Sequence, residues 1–168
     1  PVANNDSGLS VSFGVPLNIS ATQLLSNDDD GDIGETQMLS IASVGNEVGG
    51  NVLLNANGSV TFTPALGYTG PASFSYAVSD GNSVSLPAIV SLTVLPNTII
   101  GSSGNDTISK IATVPGQPFA TIYSDLVYGN DGADIIKTDL GDDTVYGGGG
   151  IDNIDGGGGN DTIYGGAD

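Results

Sequence analysis

Between positions 120 and 168 the chain repeats itself every nine residues, and this period constrains the fold more than any other feature. Glycine or a replacement opens frames at 129, 138, 147, 156 and 165. Asp134, Asp143, Asp152 and Asp161 follow at the same spacing, and Ile136, Val145, Ile154 and Ile163 stand two residues after each aspartate. The run Gly156-Gly157-Gly158-Gly159-Asn160-Asp161-Thr162-Ile163-Tyr164 reads GGxGxDxUx, with U a large aliphatic residue. Gly101 to Ser109 matches with one glycine replaced, and Asp125 with Val127 marks a degenerate frame that begins at Ala120. Between them, Lys110 to Phe119 breaks the pattern with Pro115 and Pro118. One nonapeptide buries nothing alone, so consecutive turns must stack. Glycine lets the first six residues turn sharply with their carbonyls inward, while the aliphatic residue enters the core from a very short strand. A flexible Gly/Asp-rich linker has a similar composition. It would not hold Asp and Ile/Val in register through four consecutive frames.

The side-chain inventory narrows the chemistry. The 168 residues include Lys+Arg 2 against Asp+Glu 19, a net charge of −17, with no His and no Cys. That excludes Ser-His-Asp and Cys-His triads, zinc sites of the usual ligands and any disulfide framework. A chain this acidic repels nucleic-acid phosphates and anionic membrane surfaces. No run approaches the roughly 18 apolar residues needed to span a bilayer. What remains is an oxygen-rich protein suited to hard cations. Calcium accepts flexible carbonyl-plus-carboxylate shells better than magnesium, which demands a rigid octahedron. The chain opens on Pro1 and stops at Asp168 inside a glycine motif, and we read it as part of a longer polypeptide.

Composition divides the chain near Pro96. Residues 1–96 hold eight acids, no Lys and 11 Gly, whereas residues 97–168 hold eleven acids, both lysines (Lys110 and Lys137) and 16 Gly. The first part alternates apolar and polar residues at a period of two, as in Val60/Phe62, Phe74/Tyr76/Val78 and Val90/Leu92/Val94. Asn57-Gly58, Pro64 to Gly70 and Asp80-Gly81 punctuate these runs, which predicts an antiparallel sandwich. Ser20 caps one short helical turn over Ala21–Leu25, and Tyr68 is a candidate tyrosine-corner anchor, a plain turn aromatic being the alternative. Asp28, Asp30 and Asp32 alternate like the opening of an EF-hand, but Glu35 falls at position eight rather than twelve, which argues against one. Several like charges in so short a loop are unfavourable without a cation.

Two resemblances follow from these motifs. The GGxGxDxUx frames resemble the calcium-binding nonapeptides of RTX (repeats-in-toxin) proteins. Val2 to Asp6, Leu24 to Asp30, Gly58 to Pro64, Gly67 to Gly70 and Val78 to Gly81 resemble the cadherin-like, immunoglobulin-type repeats of large bacterial surface adhesins. Together they imply an all-β chain: an Ig-like/cadherin-like antiparallel β-sandwich over 1–96, then a parallel calcium-binding β-roll over 97–168. The implied ligands in the roll are Asp106, Asp125, Asp134, Asp143, Asp152 and Asp161, with the loop positions Gly101, Gly104, Asn105, Gly129, Asp131, Gly132, Gly141, Gly147, Gly149, Gly150, Gly156, Gly158 and Gly159. In the sandwich they are Asp6, Asp28, Asp30 and Asp80. Loops two frames apart share an edge of such a roll, so Asp125 pairs with Asp143, Asp143 with Asp161 and Asp134 with Asp152. Asp106 pairs more loosely with Asp125, nineteen residues on. On that register Asp143 faces two calcium ions and matters most.

The resemblances also imply a secreted or cell-surface module of a type I-secreted adhesin, non-catalytic, that folds when calcium becomes available. With eleven negative charges and abundant glycine, residues 97–168 cannot offset their backbone entropy by apolar burial alone, so metal binding becomes folding free energy. The alternatives are an accessory module of a secreted polysaccharide-modifying enzyme or protease, and a sandwich that binds sugar or peptide. Expected partners are calcium, a surface glycan or protein, and neighbouring repeats of the same chain, with no nucleic acid and no membrane insertion.

Overall fold

The computed structural model describes residues 1–31 and 38–167. Asp32 and Glu35, weighed above for an EF-hand, lie outside the described residues. The chain divides into two compact units, Pro1–Leu95 and Pro96–Asp168.

In the first unit two sheets face each other. One runs in the order β1 (Asp6–Val11), β7 (Ala88–Val94), β6 (Gly70–Ser79) and β3 (Ser40–Val48), and the other in the order β2 (Leu17–Ile19), β5 (Val60–Pro64) and β4 (Gly50–Leu54). The period-two runs place their apolar members inward. β7 alternates strictly, burying Ala88, Val90, Leu92 and Val94 and exposing Ile89, Ser91 and Thr93. Phe62 and Phe74 stack across the core at 6.2 Å, and both are buried with Ile19, Leu24, Val60 and Val78. Gly50 permits this approach, since a Cβ there would fall 2.5 Å from the Phe62 ring. The pairing is antiparallel except between β1 and β7, which run parallel. As the first and last strands of the unit they need no hairpin between them, so the fold is free to pair them this way. Ser20 caps the helical turn α1 (Ala21–Leu24) by accepting from the Gln23 N–H at 3.2 Å.

The second unit is a parallel roll. One sheet has the order β8 (Asn97–Ile100), β10 (Asp125–Asp131), β12 (Thr144–Gly149) and β14 (Thr162–Ala167). The other contains β9 (Thr107–Ile108), β11 (Ile135–Lys137) and β13 (Asn153–Asp155). Val127 pairs with Val145, Val145 with Ile163, and Ile136 with Ile154, each eighteen residues apart, or two frames per turn. The aliphatic positions Ile99, Ile108, Val127, Ile136 and Val145 stack into a fully buried column.

Lys110–Phe119 is looped out of the roll. Ile99 pairs with Val127 and Ile108 with Ile136, twenty-eight residues apart instead of eighteen. The surplus ten residues leave and re-enter at one point, where the Ala120 N–H donates to the Ser109 carbonyl at 3.2 Å. The roll also begins one frame before the repeat read from the sequence. Asn97 and Ile99 occupy the aspartate and aliphatic positions nine residues ahead of Asp106 and Ile108.

On the outward face of the larger sheet, Tyr128, Tyr146 and Tyr164 form a ladder with centroid separations of 5.1 and 4.7 Å and ring planes within 6°. These three tyrosines occupy position nine of their frames, on the outward side of the strand.

Candidate metal centres

Each nonapeptide forms a loop at positions one to six and a strand at seven to nine, so the loops line two edges of the roll. Loops 101–106, 129–134 and 147–152 share one edge; loops 120–125, 138–143 and 156–161 share the other. The aspartates connect successive loops by one recurring bond. The N–H of each donates to Oδ1 of the aspartate one turn later: Asp106 to Asp134 at 2.8 Å, Asp125 to Asp143 at 2.7 Å, Asp134 to Asp152 at 3.0 Å and Asp143 to Asp161 at 3.1 Å. The structure therefore brings together the pairs Asp125–Asp143, Asp143–Asp161 and Asp134–Asp152. It corrects the pairing of Asp106, whose partner is Asp134, twenty-eight residues on. The ten-residue excursion restores Asp106 to its edge, which a count of nineteen to Asp125 could not reveal.

The other carboxylate oxygen is left over. Oδ2 of Asp134, Asp143 and Asp152 is buried with no hydrogen-bond partner. Burial pushes the carboxyls of Asp125, Asp134 and Asp143 above the usual carboxylate range, because a low-dielectric site disfavours their charge. A bound cation reverses that preference.

Glycine at position one gives these oxygens their surroundings. A Cβ on Gly129 would fall 2.5 Å from Asp134 Oδ2 and 2.3 Å from the Gly147 carbonyl oxygen; one on Gly147 would fall 2.4 Å from both Asp152 Oδ2 and the Gly165 carbonyl. At each of these places a carboxylate of one loop and a carbonyl of the next converge on a cradle that only glycine leaves open. Position four needs glycine for its backbone: Gly132, Gly141, Gly150 and Gly159 all have φ between 113° and 138°. Orphaned carboxylate oxygens beside backbone carbonyls form a donor set for a hard cation, and they fit calcium. Among the described residues no three acidic side chains converge on a point, so main-chain oxygens would complete the shell.

The leading loop of each edge is closed differently. Ser102 donates its N–H to Asp106 Oδ2 at 2.6 Å and points its hydroxyl at the same carboxylate, 3.0 Å away. Thr121 repeats this at Asp125, with its N–H 2.7 Å from Oδ2 and its hydroxyl 3.1 Å from Oδ1. The Asn97 amide adds a 2.7 Å bond to Asp125 Oδ1. Loops that look degenerate in the sequence, with Ser or Thr in place of the second glycine, thus have their carboxylates satisfied by the protein. The sequence reading missed Asn97, Ser102, Thr121 and also Asp142, whose Oδ1 accepts from the Asn160 N–H at 2.8 Å. Asn105 does the same for Ala133 at 2.9 Å, so position five ties successive turns together. The signal was there in the frame positions, since Asn97 stands nine before Asp106.

In the sandwich, the buried Tyr76 hydroxyl lies 3.0 Å from both oxygens of Asp28, 3.0 Å from the Asn4 carbonyl and 3.1 Å from that of Leu24. Asp28 Oδ1 also accepts from the Asn4 N–H at 2.7 Å. Asp6 Oδ2 is buried without a hydrogen-bond partner, and burial, reinforced by the Asp28 charge, pushes its carboxyl upward against the opposing pull of the Tyr76 hydroxyl. Burial and the two carboxylates push the Tyr76 hydroxyl well above the usual phenol range. Tyr76, rather than Tyr68, is therefore the tyrosine that anchors distant main chain; Tyr68 donates to the Pro71 carbonyl just downstream. Asp80 is engaged in its own turn, accepting from the N–H groups of Ser83 and Asn82, which hold its carboxyl down at about 2. Asp30 lies just beyond Asp29, whose backbone pairs with Val2.

A sandwich followed by a roll with oxygen-lined edges defines a class of calcium-binding modular β protein, and the family comparisons agree. Residues 1–95 match the cadherin-like domain, and residues 96–109, 119–154 and 138–168 match the RTX calcium-binding nonapeptide repeat. The chain belongs to the cadherin-like domain family and carries RTX calcium-binding repeats after that domain. No curated protein matches it. Among solved structures, a 2,6-sialyltransferase of Vibrionaceae Photobacterium sp. JT-ISH-224 superimposes with a TM-score of 0.39 at 10% identity, over 86% of this chain and 42% of that one. So loose a superposition bears on neither fold nor activity. No helix among the described residues is long and apolar enough to cross a membrane.

Proposed function

We propose that this chain is a calcium-binding, non-catalytic module of a secreted or cell-surface bacterial protein. In this reading the roll folds on meeting calcium outside the cell after type I secretion, and the sandwich serves adhesion or spacing. The observation that carries it is the pair of buried, partnerless oxygens on Asp134 and Asp152, each meeting a glycine cradle beside a carbonyl of the next loop. Leaving such a group unpaired costs about 1–3 kcal/mol, and two in successive loops of one edge call for a cation. The loop glycines bring carbonyls inward and the aspartates supply the charge, so calcium adds its binding free energy to folding. Asp6 and Asp28, gathered at Tyr76, form the second site of this reading.

Circular dichroism of the full chain during calcium titration, with calorimetry in parallel, tests the assignment. Calcium should increase the β signal, and magnesium at the same concentration should do much less. An unchanged spectrum with no heat of calcium binding overturns it. A glycan array with and without calcium then asks what the sandwich adheres to.

A further inference from the structure

Two frames lack glycine at position one, the leading frame at Ala120 and, inside the run, the frame at 138. Position one of the frame at 138 is Thr138, and it is fully buried. Its backbone is unstrained, since position one has negative φ throughout the roll; glycine elsewhere is needed for space alone. The space a side chain would fill at Gly129 and Gly147 is here filled. The Thr138 hydroxyl donates to the Gly156 carbonyl at 2.9 Å. Gly156 O is the counterpart of Gly147 O and Gly165 O, the carbonyls that converge on the two open cradles. The same side chain also lies within hydrogen-bonding reach of the Asp143 carboxylate. A hydroxyl has one proton, and this one is committed to Gly156, so Asp143 Oδ2 remains partnerless.

The hydroxyl thus takes the place beside the first carbonyl of the loop one turn later, the place left open for a cation at Gly129 and Gly147. We propose that Thr138 is a built-in substitute for a calcium ion, so that the roll loads calcium in the open Gly129/Asp134 and Gly147/Asp152 cradles while the 138–143 cradle stays closed to metal. The leading loop on the same edge is closed as well, because Asn97 and Thr121 already saturate Asp125. Calcium loading is therefore unequal between the two edges. Asp143, which the repeat register alone places between two ions, contributes least.

This inference rests on the calcium reading of the roll, and the experiment separates the two. Bound calcium is counted by native mass spectrometry of the full chain at saturating calcium, for the unaltered protein and for Thr138→Gly, Thr138→Ser, Thr138→Val, Asp134→Ala and Asp143→Ala. Thr138→Gly opens the cradle and should bind one ion more per chain. Thr138→Ser keeps the hydroxyl and Thr138→Val keeps the bulk, so both should hold the original count. Asp134→Ala should lose at least one ion and Asp143→Ala none. A Thr138→Gly count equal to the original overturns the substitution. So does a loss of one ion in Thr138→Val, because the hydroxyl would then be a ligand. If the unaltered chain binds no calcium, the calcium reading itself fails. If Asp134→Ala loses an ion but Thr138→Gly gains none, only this inference does.

Discussion

At the scale of single residues, the roll concentrates negative charge where water cannot reach it. The folded-state proton affinities of Asp125, Asp134 and Asp143 are raised by burial. Without metal, then, the folded state holds these protons more tightly than the unfolded chain does. The stability this confers is fully present below the ordinary carboxylate value of about 3.9 and is lost as pH rises through the raised values. In chelator the roll, which on the proposed reading is unfolded at neutral pH, should accordingly gain folded population in mild acid. In calcium the order should invert, since the ligands must then be ionised. Thermal melts across pH in each condition check both limbs. Asp134→Asn removes one buried charge while keeping the Oδ1 acceptor, so it should stabilise the calcium-free roll by about 1–3 kcal/mol and weaken calcium binding. Equal calcium affinity in that variant would remove Asp134 from the ligand set.

At the scale of elements, the repeat was legible and its interruptions were not. Four frames with Asp and Ile/Val in step give away a stacked repeat, and its parallel strands were what the RTX resemblance implied. The sequence is silent on where Lys110–Phe119 goes. Nine and nineteen look like a register error until the loop closes at Ser109 and Ala120 and a spacing of twenty-eight restores the edge. The leading loops were misread for a related reason: Ser102 and Thr121 look like decay of the glycine pattern, whereas their hydrogen bonds make them closures. Tyr76 was recognised as a core residue, but its hydroxyl's reach to Asn4 and Asp28 depends on segments 72 and 48 residues away in sequence meeting it in space. Deleting residues 110–119 tests the loop. It removes Val114, half-buried against the roll core, two 3.0 Å hydrogen bonds that the Asn97 amide and the Ile100 N–H donate to Phe119 and Gln117, and an exposed Lys110–Asp139 ion pair of 3.0 Å, the last worth about 0–1 kcal/mol. The shortened roll should keep its calcium-dependent transition and lose no bound ion. Loss of folding on deletion would mean the loop carries more than it displays.

At the scale of the molecule, two units obtain stability from different sources. The sandwich has an aromatic and aliphatic core of its own, with Phe62, Phe74, Tyr76 and Leu24 all buried, and should fold in chelator. The roll has only two facing rows of aliphatic residues, one from each sheet, and on the proposed reading it needs its cations. Differential scanning calorimetry of the full chain should show one transition in chelator, from the sandwich, and a second that appears with calcium. The sandwich transition should itself move upward if Asp6 and Asp28 take a metal, by mass action on the folded state. A single calcium-independent transition covering both units would refute the division of labour.

The tyrosine ladder has an optical consequence. Tyr128, Tyr146 and Tyr164 come from three different turns and are parallel and nearly in contact, at 5.1 and 4.7 Å, only when those turns are stacked. The chain contains no tryptophan, and its aromatics otherwise comprise three more tyrosines and four phenylalanines. Excited states on such closely spaced parallel rings couple to one another, so the near-ultraviolet signal of this protein should carry a component that appears only when the spiral has closed. Assembly of the roll can therefore be followed turn by turn without a dye: replacing Tyr128 or Tyr164 by Phe trims the coupled array from one end, while replacing Tyr146 severs it in the middle.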